Sequence, residues 1–214
     1  MQRFADGNGD LGTPEAPAVW LVGIVPGWSK ADEAAGERPE LRRYPVEMQL
    51  EWRFNTNAFR LLAALEGEVY SDQFAHERQI FVEDSRGYFK ANLYPVVANN
   101  LGTWDEDAKK ETGCETKADY KAAVRAERWR EIAGLLEKHR PRLVIGVGRT
   151  AMADFFTAFA PLGEREILEI DGQQIVAARG VAPLCVVGHL SRGLHGHRAI
   201  ASVGGKIREW LAER

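Results

Sequence analysis

The feature that most constrains the fold is a helix–strand–turn–helix succession in the second half of the chain. Residues Lys117–His139 repeat apolar positions at helical spacing, and Pro141 predicts the end of that helix. The apolar run RLVIGVG (142–148) follows, and TAMADFFTAF (150–159) is again typical of a helix, with Thr150 as its expected N-cap. This order is typical of crossover connections, so it predicts an α/β fold with a mostly parallel sheet.

Further segments extend this pattern over the whole chain. Buried strands are predicted at Ala18–Ile24, at Gly87–Leu93 and within APLCVVGHL (182–190), and a hairpin is predicted around Asp171 and Gly172. Helices are predicted over NTNAFRLLAALEG (55–67) and HRAIASVGGKIREWLAER (197–214), whereas the polar stretch 98–116 is predicted to be a loop. We therefore expect one domain, residues 1–214, built as a three-layer αβα sandwich around a central, mostly parallel sheet.

Composition excludes several classes of protein. With 214 residues, 45% hydrophobic and 28% charged, the chain is typical of one compact domain. Neither a bilayer-spanning run nor a secretion signal is recognisable, so we expect a cytoplasmic protein without a membrane partner. The two cysteines, Cys114 and Cys185, predict neither a disulfide framework nor an iron–sulfur cluster, and we expect no metal and no cofactor. A formal charge of -3 still allows a local basic surface.

Three loops follow predicted strands, and such loops carry ligands in open α/β sheets. They are GIVPGWS (23–29), NLYPV (92–96) and GHLSRGLHGH (188–197). Taken singly, a Gly-Pro-Gly loop is most often only a turn, and an asparagine at a strand end most often caps a loop. The three loops together are more specific than any one of them.

In order and spacing, these loops resemble the motifs of the uracil-DNA glycosylase superfamily, closest in style to its mismatch-specific and single-strand-selective branches. GIVPG is similar to the first motif, HLSRGL to the second, and FKANLYPV to the middle strand that ends in asparagine. NAFRLLAAL is similar to an Asn-Arg-Phe-Trp-x-x-Leu helix of the same family. The resemblance spans nearly the whole chain and implies removal of uracil, or of a related deaminated or damaged base, from single- or double-stranded DNA.

The resemblance also implies roles for individual residues. His189 would stabilise the negative charge that grows on the departing base, as an oxyanion hole does. Asn92 would offer a donor and an acceptor to the base edge, beside the loop residues Gly23, Pro26 and Gly27, and Trp28 or Tyr94 would supply a stacking face. The expected DNA contacts are Ser191, Arg192, Gly193, Leu194 and Arg198.

The sequence departs from the family at two positions. Val25 stands where the first motif usually carries Asp or Asn to position the attacking water, and valine cannot hydrogen-bond water. Leu190 replaces the proline of the second motif. A polar group from the following loop, for example Asp32, Glu33 or Glu37, is a candidate to replace the lost function at Val25.

Several alternatives remain open. The chain is either a monomeric, monofunctional DNA glycosylase or a catalytically silent protein that binds nucleic acid or nucleotides on the same fold. An unrelated small-molecule enzyme on a similar sheet is a third possibility. His189, His195 and His197 lack the carboxylates or thiolates of a compact metal site. The VIGVGRTA turn (144–151) lacks the glycine spacing of a dinucleotide-binding loop.

Overall fold

The computed structural model describes residues 3–26, 45–95, 104, 106–194 and 196–213. Within these ranges the strands are β1 (Asn8–Gly9), β2 (Gly12–Thr13), β3 (Ala16–Pro17), β4 (Val19–Gly23), β5 (Tyr88–Asn92), β6 (Leu143–Val147), β7 (Arg165–Ile170), β8 (Gln173–Ala178) and β9 (Leu184–Val187). The α-helices there are α1 (Val46–Leu50), α2 (Arg53–Glu66), α3 (Asp72–Arg78), α4 (Glu106–Thr112), α5 (Lys117–His139), α6 (Met152–Phe159) and α7 (His197–Ala212). Short 3-10 turns cover Phe4–Asp6 and Arg149–Ala151.

Seven strands form one mixed sheet in the order β1-β5-β4-β6-β9-β8-β7. The four central strands β5, β4, β6 and β9 are parallel to one another. Strand β1 adds antiparallel to β5, and β8 and β7 continue the other side in antiparallel fashion. Strands β2 and β3 pair separately as a small hairpin. The expected α/β class is confirmed, with antiparallel strands flanking the parallel centre.

Helices cover both faces of this sheet. Alternate residues of β4 separate two hydrophobic cores, because successive side chains of a strand point to opposite faces. Val19 and Leu21 belong to the core on the front face, which is covered by α1, α2, α3 and α7. Trp20 and Val22 belong to the core on the back face, covered by α5 and α6. Every residue of β4 and β6 is buried, as expected of parallel strands enclosed on both sides.

Most predicted elements are present at or near their expected limits. Helix α5 spans the predicted residues, and α2 ends at Glu66, followed by Gly67, whose φ of 83° is the left-handed conformation of a glycine cap. The β7–β8 hairpin turns at Asp171 and Gly172, with φ values of 48° and 70°. Positive φ at both central residues is what a tight two-residue hairpin needs.

Two predictions of local structure are wrong. Part of the expected loop 98–116 forms helix α4, and α4 buries only Ala108 among the side chains described there, so it lacks a hydrophobic repeat that sequence alone would reveal. Thr150 does not cap α6, because it lies inside the 3-10 turn and the helix begins after Ala151 without a side-chain cap. No helix in the described parts of the chain is both long and apolar enough to span a bilayer.

Candidate functional site

The residues that follow the four parallel strands lie along one edge of the sheet, called here the carboxyl edge. Backbone pairing continues past the strand ends, since the amide of Leu93 donates to Gly23 O at 2.8 Å and that of Gly148 donates to Val187 O at 3.0 Å. The starts of the three loops expected to form a site therefore lie at this edge. Strands β5 and β9 are three strand spacings apart, about 14 Å.

Asn92 and Gly23 form a close pair at this edge. They are register partners on β5 and β4. A Cβ atom at position 23 would lie 2.5 Å from Asn92 Oδ1, so the asparagine amide occupies the space beside the glycine. Among the described residues, no side-chain hydrogen bond engages this amide, although the backbone carbonyl of Asn92 accepts from Arg128 Nη2 at 3.0 Å. The Asn92 amide thus lies beside Gly23 at the end of β5, on the carboxyl edge.

His189 follows β9 and is half-buried. Its ring packs edge-on against Phe54, with centroids 5.8 Å apart. Its Nδ1 accepts a hydrogen bond from the backbone N–H of Ser191 at 3.2 Å. Burial, and then the positive charge of Arg192, lower the pKa of His189 below its usual value, which favours the neutral ring. A neutral ring with Nδ1 as acceptor carries its proton on Nε2, so His189 can donate a hydrogen bond from Nε2.

A tight turn holds the histidine backbone in place. The carbonyl of His189 accepts from the amides of Arg192, Gly193 and Leu194 at 3.1, 2.6 and 3.0 Å. A Cβ at Gly193 would lie 2.7 Å from the amide nitrogen of His189, so the chain needs glycine where it doubles back. The next carbonyl, that of Leu190, accepts from Asn57 Nδ2 at 2.6 Å.

The first turns of α2 connect the two ends of the carboxyl edge on the front face. Phe54 contacts His189, Asn57 holds Leu190, and Asn55 accepts from Lys90 Nζ at 3.1 Å. Sequence reasoning assigned no role to these helix residues. Two buried asparagines on a core-facing helix are a signal that could have identified them, because buried amides require partners.

The first-motif loop is only partly described. Val25 is half-buried and packs against the back-face core, and Pro26 borders a small cleft with Asn92 and Arg128. Gly27 and Trp28, both expected to contact a base, lie outside the described residues. The three candidate replacements for the missing polar group at Val25 also lie outside them, at positions 32, 33 and 37.

Two residues expected to contact ligand are placed in the core. Tyr94 is fully buried on the back face, donates its hydroxyl hydrogen bond to Asp154 Oδ2 at 2.7 Å, and packs against Tyr120. Burial and Asp154 raise the pKa of Tyr94. Leu194 is 1% exposed and belongs to the front-face core. In this conformation neither side chain presents a free face to a base or a duplex.

The other residues of the late loop lie at the surface. Ser191 is half-buried, whereas Arg192, Gly193 and Arg198 are exposed, and Arg198 lies in the first turn of α7. His197 begins the same helix and is exposed, while His195 is not among the described residues. Arg192 places positive charge close to His189, and Arg198 is a second exposed arginine at the start of α7.

A fourth loop, which sequence reasoning did not select, also reaches the carboxyl edge. A Cβ atom at Gly148 would lie 2.6 Å from Ile24 Cδ1 of the first-motif loop, and Arg149 Nη2 donates to Gln174 Oε1 at 2.8 Å. Arg149 and the β7–β8 hairpin line an open cleft of about 510 Å³. Its lining is mixed in charge, since Glu169 and Asp171 oppose Arg149.

Trp52 is a further aromatic residue near this edge. It immediately precedes α2 and is 39% exposed. Its position next to the first turn of α2 makes it a candidate stacking group that the strand-end loops did not reveal.

Comparison with known proteins leaves the family open. No protein-family model matches the sequence, and no curated protein matches it. In the described part of the chain, no three His, Cys, Asp or Glu side chains lie close enough together to hold a metal ion. The proposed function therefore rests on the geometry of the carboxyl edge.

Proposed function

We propose that the chain is a DNA glycosylase of the uracil-DNA glycosylase type, hydrolysing the N-glycosidic bond of uracil or a related deaminated or damaged base. The observation that carries this proposal is the state of His189. Its Nδ1 is engaged by the Ser191 amide and its pKa is lowered by burial, so a neutral ring offers Nε2–H at the carboxyl edge. The loop motifs that resemble this superfamily supply the rest of the argument.

Each residue has a distinct part in the proposed reaction. Water adds to C1′ of the sugar as the glycosidic bond breaks, and the electron pair of that bond leaves with the base. The proton that the water loses neutralises the departed base. Nε2–H of His189 donates to the base oxygen on which this charge accumulates. The Asn92 amide binds the edge of a base that has left the stack, and Trp52 is a candidate to stack on its face. Arg192 and Arg198 contact backbone phosphates.

One observation favours the alternative of a catalytically silent nucleic-acid-binding protein. Val25 packs against the back-face core and brings no polar atom to the place where the family positions water. The silent protein would retain the Asn92 and His189 contacts and the basic surface. It would bind the same DNA without cleaving it.

An abasic-site assay tests the proposal. Purified protein is incubated with single- and double-stranded oligonucleotides that carry uracil, hypoxanthine, xanthine or mismatched thymine, and abasic sites are quantified. We expect cleavage of at least one base and a loss on the order of a hundredfold or more in His189→Ala, as for a lost oxyanion contact. His197→Ala, an exposed histidine of the same segment, is the matched control and should cleave normally.

The same assay separates the two candidates. Binding without cleavage of any of these bases, together with new cleavage in Val25→Asn, supports the silent protein. Equal rates for wild type and His189→Ala would show that His189 is not the charge-stabilising group.

A further inference from the structure

Lys90 and Asn55 form a polar pair beneath Asn92 that the proposed reaction does not use. Lys90 Nζ donates to Asn55 Oδ1 at 3.1 Å, and its ammonium lies 5.2 Å from the centroid of the Phe81 ring. Asn55 is 2% exposed. In the described parts of the chain no carboxylate pairs with Lys90, and burial lowers its pKa to about 8. The pair is therefore a partly buried ammonium held by a buried, neutral amide.

This pair has more hydrogen-bond donors than acceptors. Because the ammonium must donate, Asn55 turns its oxygen towards Lys90 and its Nδ2 away. That Nδ2 is buried, and among the described residues it has no partner. An ammonium has three N–H groups, of which one is used here. Unsatisfied buried donors are rare in proteins because each costs free energy, and each is explained by strain, by a functional role, or by a bound water or ion.

The pair lies next to the candidate base-binding residue. Lys90 and Asn92 are two residues apart on β5, so both side chains belong to the front face and their backbones are separated by about 6.6 Å. A ligand held by the Asn92 amide thus approaches the donors of Lys90 and Asn55.

We propose that Lys90 and Asn55 are specificity-determining residues which select bases carrying a carbonyl oxygen in place of the exocyclic amine lost on deamination. This inference rests on the proposed function. Uracil O4 and hypoxanthine O6 accept hydrogen bonds, whereas the amino groups of cytosine and adenine at the same ring positions donate. A site composed of donors can bind the carbonyl oxygens of uracil and hypoxanthine. With cytosine or adenine, the donors of the site would face the donors of the base, and buried donors left without acceptors cost free energy.

Binding of free bases tests the inference without requiring catalysis. Uracil and cytosine are titrated into protein with isotope-labelled lysine, and the side-chain resonance of Lys90 is assigned by its loss in Lys90→Met. Uracil should shift this resonance and cytosine should not. In Asn55→Asp, which gives Lys90 a carboxylate partner and removes Nδ2, uracil affinity should fall on the order of tenfold or more. Lys117, another lysine whose pKa burial lowers, should report no change with either base.

Equal shifts with uracil and cytosine, or none with either, would overturn the inference and leave a structural water as the partner of Asn55.

An excision assay keeps this result separate from the proposed function. If the wild type excises uracil and Lys90→Met keeps the same rate and the same preference for uracil over cytosine, the role of Lys90 is refuted but the glycosylase is not. A uracil-specific Lys90 shift in a protein that excises nothing would support the site and refute the glycosylase. Lys117→Met is the matched variant in both assays.

Discussion

At the scale of single residues, the carboxyl edge depends on one close pair, Gly23 and Asn92. The amide of Asn92 stands where any side chain at position 23 would begin. A side chain at position 23 would therefore compete with the Asn92 amide for space, whereas the backbone conformation at this position does not itself call for glycine. This explains why a motif glycine lies at the end of a buried strand, where it would otherwise weaken packing.

Gly23→Ala should displace the Asn92 amide, because the new Cβ would lie 2.5 Å from Oδ1. Because Oδ1 is the end of a side chain that can rotate away, we expect little change in the free energy of unfolding but weaker binding of uracil-containing DNA. Urea denaturation and fluorescence anisotropy measure the two effects. Gly134→Ala, in α5 with no atom within 4 Å of the new Cβ, is the control and should leave DNA binding unchanged. Unchanged DNA binding in Gly23→Ala would show that Asn92 does not contact the ligand.

His189 should also make stability depend on pH. Its folded-state pKa is lowered by burial and by Arg192, whereas an unfolded histidine titrates near pH 6.5. As the pH falls below about 6.5, the unfolded chain gains a proton that the folded chain resists, so the free energy of unfolding decreases. His189→Gln should lose less stability than wild type between pH 7 and pH 5, measured by urea denaturation. His197→Gln is the exposed control, and a His189→Gln slope equal to that of wild type would contradict the assignment.

At the scale of elements, α2 organises the site. Its first turns contact His189, Leu190 and Lys90, so one helix fixes the relative positions of the loops after β5 and β9. The contacts use buried amides as well as apolar packing. Such amides restrict the geometry, because each donor must meet its acceptor.

Asn57→Ala should destabilise the protein and loosen the His189 loop. The change removes the donor to the Leu190 carbonyl, made at 2.6 Å, and the acceptor that Arg60 Nη1 contacts at 2.9 Å. Leaving a buried carbonyl unpaired costs about 1 to 3 kcal/mol, measurable by urea denaturation. Faster hydrogen exchange is expected at the amides of 192–194. Arg53→Ala, an exposed position on α2, should change neither. Hydrogen exchange at the wild-type rate in Asn57→Ala would show that the His189 loop keeps its structure without this hydrogen bond.

At the scale of the whole molecule, an acidic chain with a net charge of -3 carries exposed arginines beside its candidate site. Nucleic-acid binding depends on the local field, so these two facts are compatible. The cleft at Arg149 is mixed in charge, because Glu169 and Asp171 line it as well.

Arg192→Ala and Arg198→Ala should each weaken DNA binding and reduce its salt dependence. A lost phosphate contact releases about one fewer counterion, so the slope of log K against log salt should fall by about 1 for each. Anisotropy titrations at several salt concentrations measure it. Arg130→Ala, an exposed arginine of α5 on the other face of the sheet, should behave as wild type. Slopes unchanged in all three variants would place the DNA elsewhere.

The sequence by itself determined the elements whose signal is local. Apolar runs identified the central strands β4, β5, β6 and β9, and helical spacing identified α2, α5 and α7. Because loops after parallel strands share an edge, the same patterns predicted where Asn92 and His189 lie. Helix α4 was missed because its buried surface is too small to produce a periodic signal.

The tertiary structure decided which side chains meet. Tyr94 follows Asn92 by two residues, yet β5 has ended and the ring turns to the back face, where Asp154 accepts its hydroxyl from 60 positions away. Lys90 meets Asn55 across 35 positions, and Asn57 meets Leu190 across 133. Such contacts depend on strand order, register and helix placement, which no short window of residues encodes.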